Sequence, residues 1–265
     1  MKRLLVHWAR NPFMAYEHSK GTYAFHPVFR EYLQGKFKAE SWHWQKNAYM
    51  RAAKWELHEK NYGYALTLAL KGKAYPTALR IISEGGLSVL YKHSPQELRQ
   101  ILRNATPVER ARNFNACALI LLAINLIASQ QDAREERDIL MINLPADWEP
   151  SSEENARFLF LEALDSLPDS GMVEADLRKL LSFCKENEVK LPRDYFQGIF
   201  RGVVGQLGFY YRRSGTLLEN VHTLQSIYDI CGLIIKDCDG RLWHSSAEAE
   251  LNYICLLYTS PSPRD

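Results

Sequence analysis

The stretch Tyr23-Ala24-Phe25-His26-Pro27-Val28-Phe29-Arg30-Glu31-Tyr32-Leu33 marks a switch from extended chain to helix. Residues 22–25 are aromatic-rich and extended in character, whereas Val28, Phe29, Tyr32 and Leu33 fall at the spacing of one helical face. Pro27 suits the first turn of that helix, where its missing N–H would have had no partner. Upstream, residues 13–17 form a second extended stretch, and His18-Ser19-Lys20-Gly21 lies between the two. Glycine there supplies the backbone freedom of a tight turn, so residues 13–25 are expected to form a β-hairpin. Leu4, Leu5 and Trp8 suggest the end of an earlier helix, stopped by Asn11-Pro12.

Beyond Glu40 the pattern becomes one of paired helices. Apolar spacing predicts helices over 41–60, 64–71, 74–84, 86–92 and 95–103, then a long one over 106–129. Further helices are expected over 153–167, 172–186, 192–212, 217–236 and 242–253, with a polar loop at 147–152 and no element assigned between 130 and 146. Phe158, Leu161 and Leu164 form one clear apolar face, and Leu224, Ile227, Tyr228 and Cys231 form another. A short recurrence links Tyr62-Gly63-Tyr64-Ala65-Leu66 to Tyr75-Pro76-Thr77-Ala78-Leu79, in register after 13 positions. Small alanines allow close helix approach, so this favours a stacked array, with a period too irregular for a tetratricopeptide consensus. Gly240-Arg241-Leu242-Trp243 and Ala247-Glu248-Ala249-Glu250 suggest one more repeat.

Composition bounds the class of molecule. Hydrophobic residues make up 46% of the 265 and charged residues 24%, enough apolar surface for a substantial core. The net charge of +2 provides no global field for nucleic acid, an acidic ligand or a membrane surface. The longest apolar run, 116–128, is broken by Asn125 and falls short of the roughly 18 to 20 residues of a bilayer span. It reads as a core helix. Residues 1–8 lack the long apolar segment and cleavage site of an export signal. Cys117, Cys184, Cys231, Cys238 and Cys255 form no CxxC pair, which suits a reducing cytoplasm.

Residues 255–265, Cys-Leu-Leu-Tyr-Thr-Ser-Pro-Ser-Pro-Arg-Asp, break abruptly from the preceding helical pattern. They read as the translation of a transposase-type sequencing adapter rather than as native protein, and so take no part in the fold. On that reading the native chain is expected to continue past Tyr253 or Ile254, and Met1 stands equally well as an internal methionine.

Catalytic motifs are scarce. There is no GxSxG, HExxH or GxxxxGK[ST], so nucleophilic, zinc and P-loop chemistry have no foothold. Gly198, Gly202, Gly205 and Gly208 lie within an expected helix, where close packing explains them better than phosphate binding. His222, Cys231 and Cys238 are too far apart for a chelating pair, and His43 and His58 belong to different helix turns. Arg212-Arg213 reads as a solvated helix end. No metal ligands and no catalytic residues are expected.

The opening segment resembles the Y-x-F-H-P-L-F-x-x-F/Y-L signature that closes the winged-helix part of STAND-class ATPases. It is most similar to the large LuxR-type transcriptional activators related to the maltose regulon activator. Arg51-Ala52-Ala53-Lys54-Trp55, the run Tyr64 to Gly72, and Ala78-Leu79-Arg80-Ile81-Ile82 look like that family's next segments, R-A-A-x-W, A-x-x-H-A-L-x-A-G and A-A-x-L-I. The likeness covers residues 1 to about 90; one departure is that the histidine usual before the alanine of the second segment is missing here. The resemblance implies that His26 contacts the β-phosphate of ADP in the full-length protein, aided by the partial positive charge of the helix starting at Pro27. The plainer alternative is that the His26 imidazole caps that helix.

These readings together define a mainly all-α chain. Residues 1–40 are expected to be a winged-helix remnant with a short β-hairpin, 41–146 a helical-repeat arm and 147–254 its continuation as a sensor region, together a tetratricopeptide-like α-superhelix of helical hairpins. Residues 255–265 are the adapter-like tail. The resemblance implies a non-enzymatic, cytoplasmic signal-sensing fragment of an ATP-dependent transcriptional regulator. Its partners would be a small-molecule inducer or a protein on the superhelix, together with the ATPase core and DNA-binding domain of the same full-length chain. ATP or ADP would be bound by that full-length protein rather than by this fragment, which should itself neither read DNA nor enter a membrane. Two rivals stand beside this reading: a free-standing helical-repeat scaffold, and the regulatory arm of a STAND-linked kinase or cyclase.

Overall fold

A computed structural model describes residues 13–17, 22–166, 169–192, 215–216 and 219–234. The expectations placed on 2–10, on the turn at 18–21, on the helices at 192–212 and 242–253 with their glycines, on Arg212-Arg213, on Cys238 and on the 255–265 tail fall outside these residues.

The described chain is mostly helical. Strands β1 (Met14–Glu17) and β2 (Thr22–Phe25) pair antiparallel, with Met14 opposite Phe25 and Glu17 opposite Thr22. Helix α1 (Pro27–Ala39) follows, with proline in its first turn as its missing N–H allows. Helices α2 (Trp42–His58), α3 (Tyr62–Lys71) and α4 (Tyr75–Gly85) then form a zigzag, α3 packing on α2 and α4 on α3. Where a helix was expected over 86–92, the chain makes only a 3-10 turn at Leu87–Val89. Gly86 explains the stop, because its φ of 71° breaks the α4 geometry.

The joints of the zigzag are built alike. Asn61 N–H donates to Glu56 O (2.8 Å) and Lys60 N–H to Leu57 O (3.0 Å). Thirteen residues on, Ala74 N–H donates to Ala69 O (2.9 Å) and Lys73 N–H to Leu70 O (3.0 Å). Both are Schellman closures, with a lysine in the left-handed position that glycine usually takes. The Tyr-x-x-Ala-Leu recurrence therefore reflects a repeated turn as well as a repeated face. Ala65, Leu66, Ala78 and Leu79 are all fully buried where α3 and α4 meet.

Helix α5 (Pro95–Asn104) begins in a capping box. Ser94 Oγ accepts from Glu97 N–H, and the Glu97 carboxylate accepts from Ser94 N–H. The long helix expected at 106–129 is instead two, α6 (Pro107–Arg112) and α7 (Phe114–Ile127). Asn113 separates them at φ −120°, its N–H shared between Glu109 O and Arg110 O and its side-chain amide donating to Glu109 O at 2.9 Å. An asparagine that offers the backbone a local alternative partner ends a helix in this way.

Helix α7 is the spine. Every residue from Ala116 to Ile124 is buried, and α4, α5, α6, α9 (Ser152–Leu164) and α8 (Gln130–Ile142) all pack against it. Trp148, in the loop before α9, lies against Phe114 at the start of this spine with ring centroids 4.9 Å apart. Helices α10 (Ser170–Glu186) and α11 (Val221–Ile234) extend the stack beyond α9. One continuous apolar core runs from Ala53 to Ile234.

Helix α8 fills the interval left unassigned in the sequence. Its pattern is masked because Glu136, a carboxylate 3% exposed, takes a core-facing position between Ala133 and Leu140. Charge is tolerable there because Arg103 Nε donates to Glu136 Oε2 at 3.2 Å and Arg99 Nε stands 3.5 Å from Oε1. Arg99 also pairs with Asp132. On its other flank α8 reaches the end of α9, where Arg134 donates to Asp165 O at 3.0 Å and Arg137 pairs with the Asp165 carboxylate. Among the described residues, no helix is long and apolar enough to cross a membrane.

Candidate functional site

His26 sits where the hairpin hands over to α1. Its N–H donates to Phe13 O at 2.7 Å, closing the hairpin, and its own carbonyl accepts from Arg30 N–H at 2.9 Å, opening the helix. The backbone therefore occupies the N-cap position, but the imidazole makes no capping hydrogen bond and is exposed. The capping role weighed for this side chain is not realised. The first turn of α1 carries no acidic residue, so no carboxylate competes for its amide end.

Aromatic packing fixes this corner. Phe29 stacks on Phe13 at 4.6 Å, receives Phe25 edge-on at 5.6 Å and neighbours Tyr32 at 6.3 Å. Such contacts tie the hairpin to α1 without enclosing either. No residue of α1 is buried, and Val28 and Tyr32 are 68% and 57% exposed. The link to the rest of the molecule passes through Phe37, which meets Trp44 and Tyr49 edge-on at 5.6 and 5.1 Å. The sequence reading gathered Val28, Phe29, Tyr32 and Leu33 on one face; the structure buries Phe29 in part and leaves the other three exposed.

Among the described residues, no group of three His, Cys, Asp or Glu side chains is placed to hold a metal. His43 accepts or donates one contact, to the Asn47 amide at 3.0 Å, and His58 lies beside Glu59. Burial pushes the Cys117 thiol up to about 12, in spite of nearby Arg110, and the Cys184 thiol up to about 11. Cys231 is raised by burial as well. These three act as small apolar core residues.

Sequence reading missed the ionic clamp on α8. Ser129, ahead of Arg99, holds the Asp132 carboxyl below the usual range, whereas burial raises Asp165 against the pull of Arg137 and Arg134. Its signal was the set of separations, Arg99 to Asp132 and Arg103 to Glu136, each 33 residues. A recurrent interval of that size is what neighbouring layers of a helical stack would give.

No protein-family model, no curated protein and no solved structure matches this chain.

Proposed function

We propose that this chain is the helical sensor arm, with the adjoining end of a winged-helix module, of an ATP-dependent LuxR-type transcriptional regulator. The observation that carries the reading is the state of α1: a helix with no buried residue, on which Val28, Tyr32 and Leu33 stand exposed, anchored by a hairpin that holds His26 at its amide end. An apolar helix face in water is costly, and a neighbouring domain seated on it would remove that cost. In the full-length protein that neighbour is the nucleotide-bearing core, and His26 faces the β-phosphate of ADP.

The arm acts by binding and coupling rather than by catalysis. A small-molecule inducer or protein partner that prefers one arrangement of the stack shifts the core between closed and assembly-competent states, by as much as its affinities for the two differ. Strain on the arm would reach α1 through the contact of Phe37 with Trp44 and Tyr49.

Two measurements test this. Flanking genomic DNA is expected to encode a Walker A motif upstream and a helix-turn-helix downstream; a catalytic output domain would favour the kinase or cyclase arm, and stop codons close to both ends would favour a scaffold. In the full-length protein, His26→Ala is expected to speed ADP release. ADP retention equal to wild type would remove the assigned role of His26.

A further inference from the structure

Between the end of α3 and the start of α5 lies a cavity of about 240 Å³. Leu70 and Tyr75 form its apolar side. Its polar lining comprises Thr67, Lys71, Lys73, His93, Glu97 and Gln100. The volume is below that of drug-sized pockets and suits a small metabolite.

The charges in this lining are incompletely used by the protein. Glu97 Oε2 is engaged by Ser94, whose N–H lies at 2.9 Å and whose hydroxyl lies at 3.1 Å, and His93 Nδ1 is 3.7 Å away. Glu97 Oε1 takes no hydrogen bond among the described residues, and neither Lys71 nor Lys73 has an ion-pair partner among them. Lys73 is presented by the left-handed joint between α3 and α4, with its ammonium 5.6 Å from the centre of the Trp42 ring. Burial, ahead of the opposing pull of Glu97, holds the His93 imidazole below its ordinary pKa, so near neutrality it adds little charge. The lining thus offers two lysines, one of them with its ammonium against Trp42, and one carboxylate beside a short apolar wall. Its complement carries two carboxylates and one amine on a few methylenes.

We propose that this cavity binds a small dicarboxylic amino acid, with its carboxylates on Lys71 and Lys73 and its ammonium on Glu97. Charge-assisted hydrogen bonds of both signs set the preference, and Leu70 and Tyr75 cover the methylenes. This inference depends only on the cavity and stands whether or not the chain belongs to a nucleotide-driven regulator.

The test is calorimetric titration of the whole chain with L-glutamate and L-aspartate, read in parallel by tryptophan fluorescence because Lys73 adjoins Trp42. Saturable binding of at least one is expected, weakened about tenfold or more in Lys71→Met/Lys73→Met, since each lost charged contact is worth on the order of a factor of ten. Glu97→Gln preserves the helix cap, because glutamine serves equally in a capping box. That variant should lose affinity for the amino acid and gain it for glutarate or succinate, a reversal that a purely structural role for Glu97 would not produce. Circular dichroism and an unchanged melting temperature establish that the variants fold. Absence of saturable heat with either amino acid at millimolar concentration, binding indifferent to the lysine changes, or an unaltered ligand preference in Glu97→Gln would each overturn the proposal.

Discussion

Lys60, Lys73 and Glu188 hold φ values of 60°, 50° and 54°, a region where a Cβ meets the following carbonyl. Each follows a helix, and at Glu188 the chain again closes with a bond five residues back, Val189 N–H to Cys184 O at 3.0 Å. Replacing Lys60 by glycine relieves that crowding at the expense of some unfolded-state entropy, for an expected net gain of about 0.5–1 kcal/mol in chemical denaturation. Gly85 presents the opposite case. A Cβ there would stand 2.8 Å from Tyr62 Cβ and 2.9 Å from Val89 Cγ1, both close to the backbone and poorly able to yield. Gly85→Ala is therefore expected to destabilise by about 1–2 kcal/mol, overpacking outweighing alanine's better helix propensity. The same change at Gly35, where nothing lies within 4 Å, should stabilise α1, and a melting experiment on both variants separates the two effects. Sequence alone exposed the tyrosine, alanine and leucine of the repeat because they recur in register. It concealed the joints, since lysine at a left-handed position carries no signal of its own.

Helix α7 was legible as an element and α8 was not, for one physical reason. A helix surrounded on all sides needs only apolar residues, so the run from Ala116 to Ile124 declares itself. Helix α8 meets the core with Glu136, and a carboxylate at a core position erases the periodic stripe unless its arginine partners far back in the chain, Arg103 and Arg99, are already known. The two-helix outcome at 106–129 was hidden likewise, since Asn113 acts through a local side-chain hydrogen bond that composition does not display. The clamp makes α8 sensitive to single changes. Glu136→Ala leaves Arg99 and Arg103 facing each other without their shared anion and is expected to cost about 2–3 kcal/mol. Arg103→Ala should cost less, because its side chain is 56% exposed and the remaining pair with Arg99 persists. A double-mutant cycle on the two positions measures the coupling, and additive losses would show the clamp to be energetically idle. The His26 corner was legible in outline, hairpin then proline then helix, whereas the exposure of its imidazole and of Val28 and Tyr32 depends on what does not pack against them.

At the scale of the whole molecule, neighbours in space are mostly neighbours in sequence, with α2 to α4 and α9 to α11 stacked in chain order. The described residues share one apolar interior across the 147–152 loop, Trp148 fastening that loop onto Phe114. Helix α7 is the exception to the local rule, since it collects partners that come before and after it. Its shielding is completed only by α9, the last of its packing partners to be made, which begins at Ser152. During synthesis, then, a ribosome releases a greasy rod some thirty residues before its lid exists, an interval long enough for a chaperone to intervene. Chains truncated just ahead of Ser152 are expected to partition into inclusion bodies, and chains ending after Leu164 to stay in the supernatant.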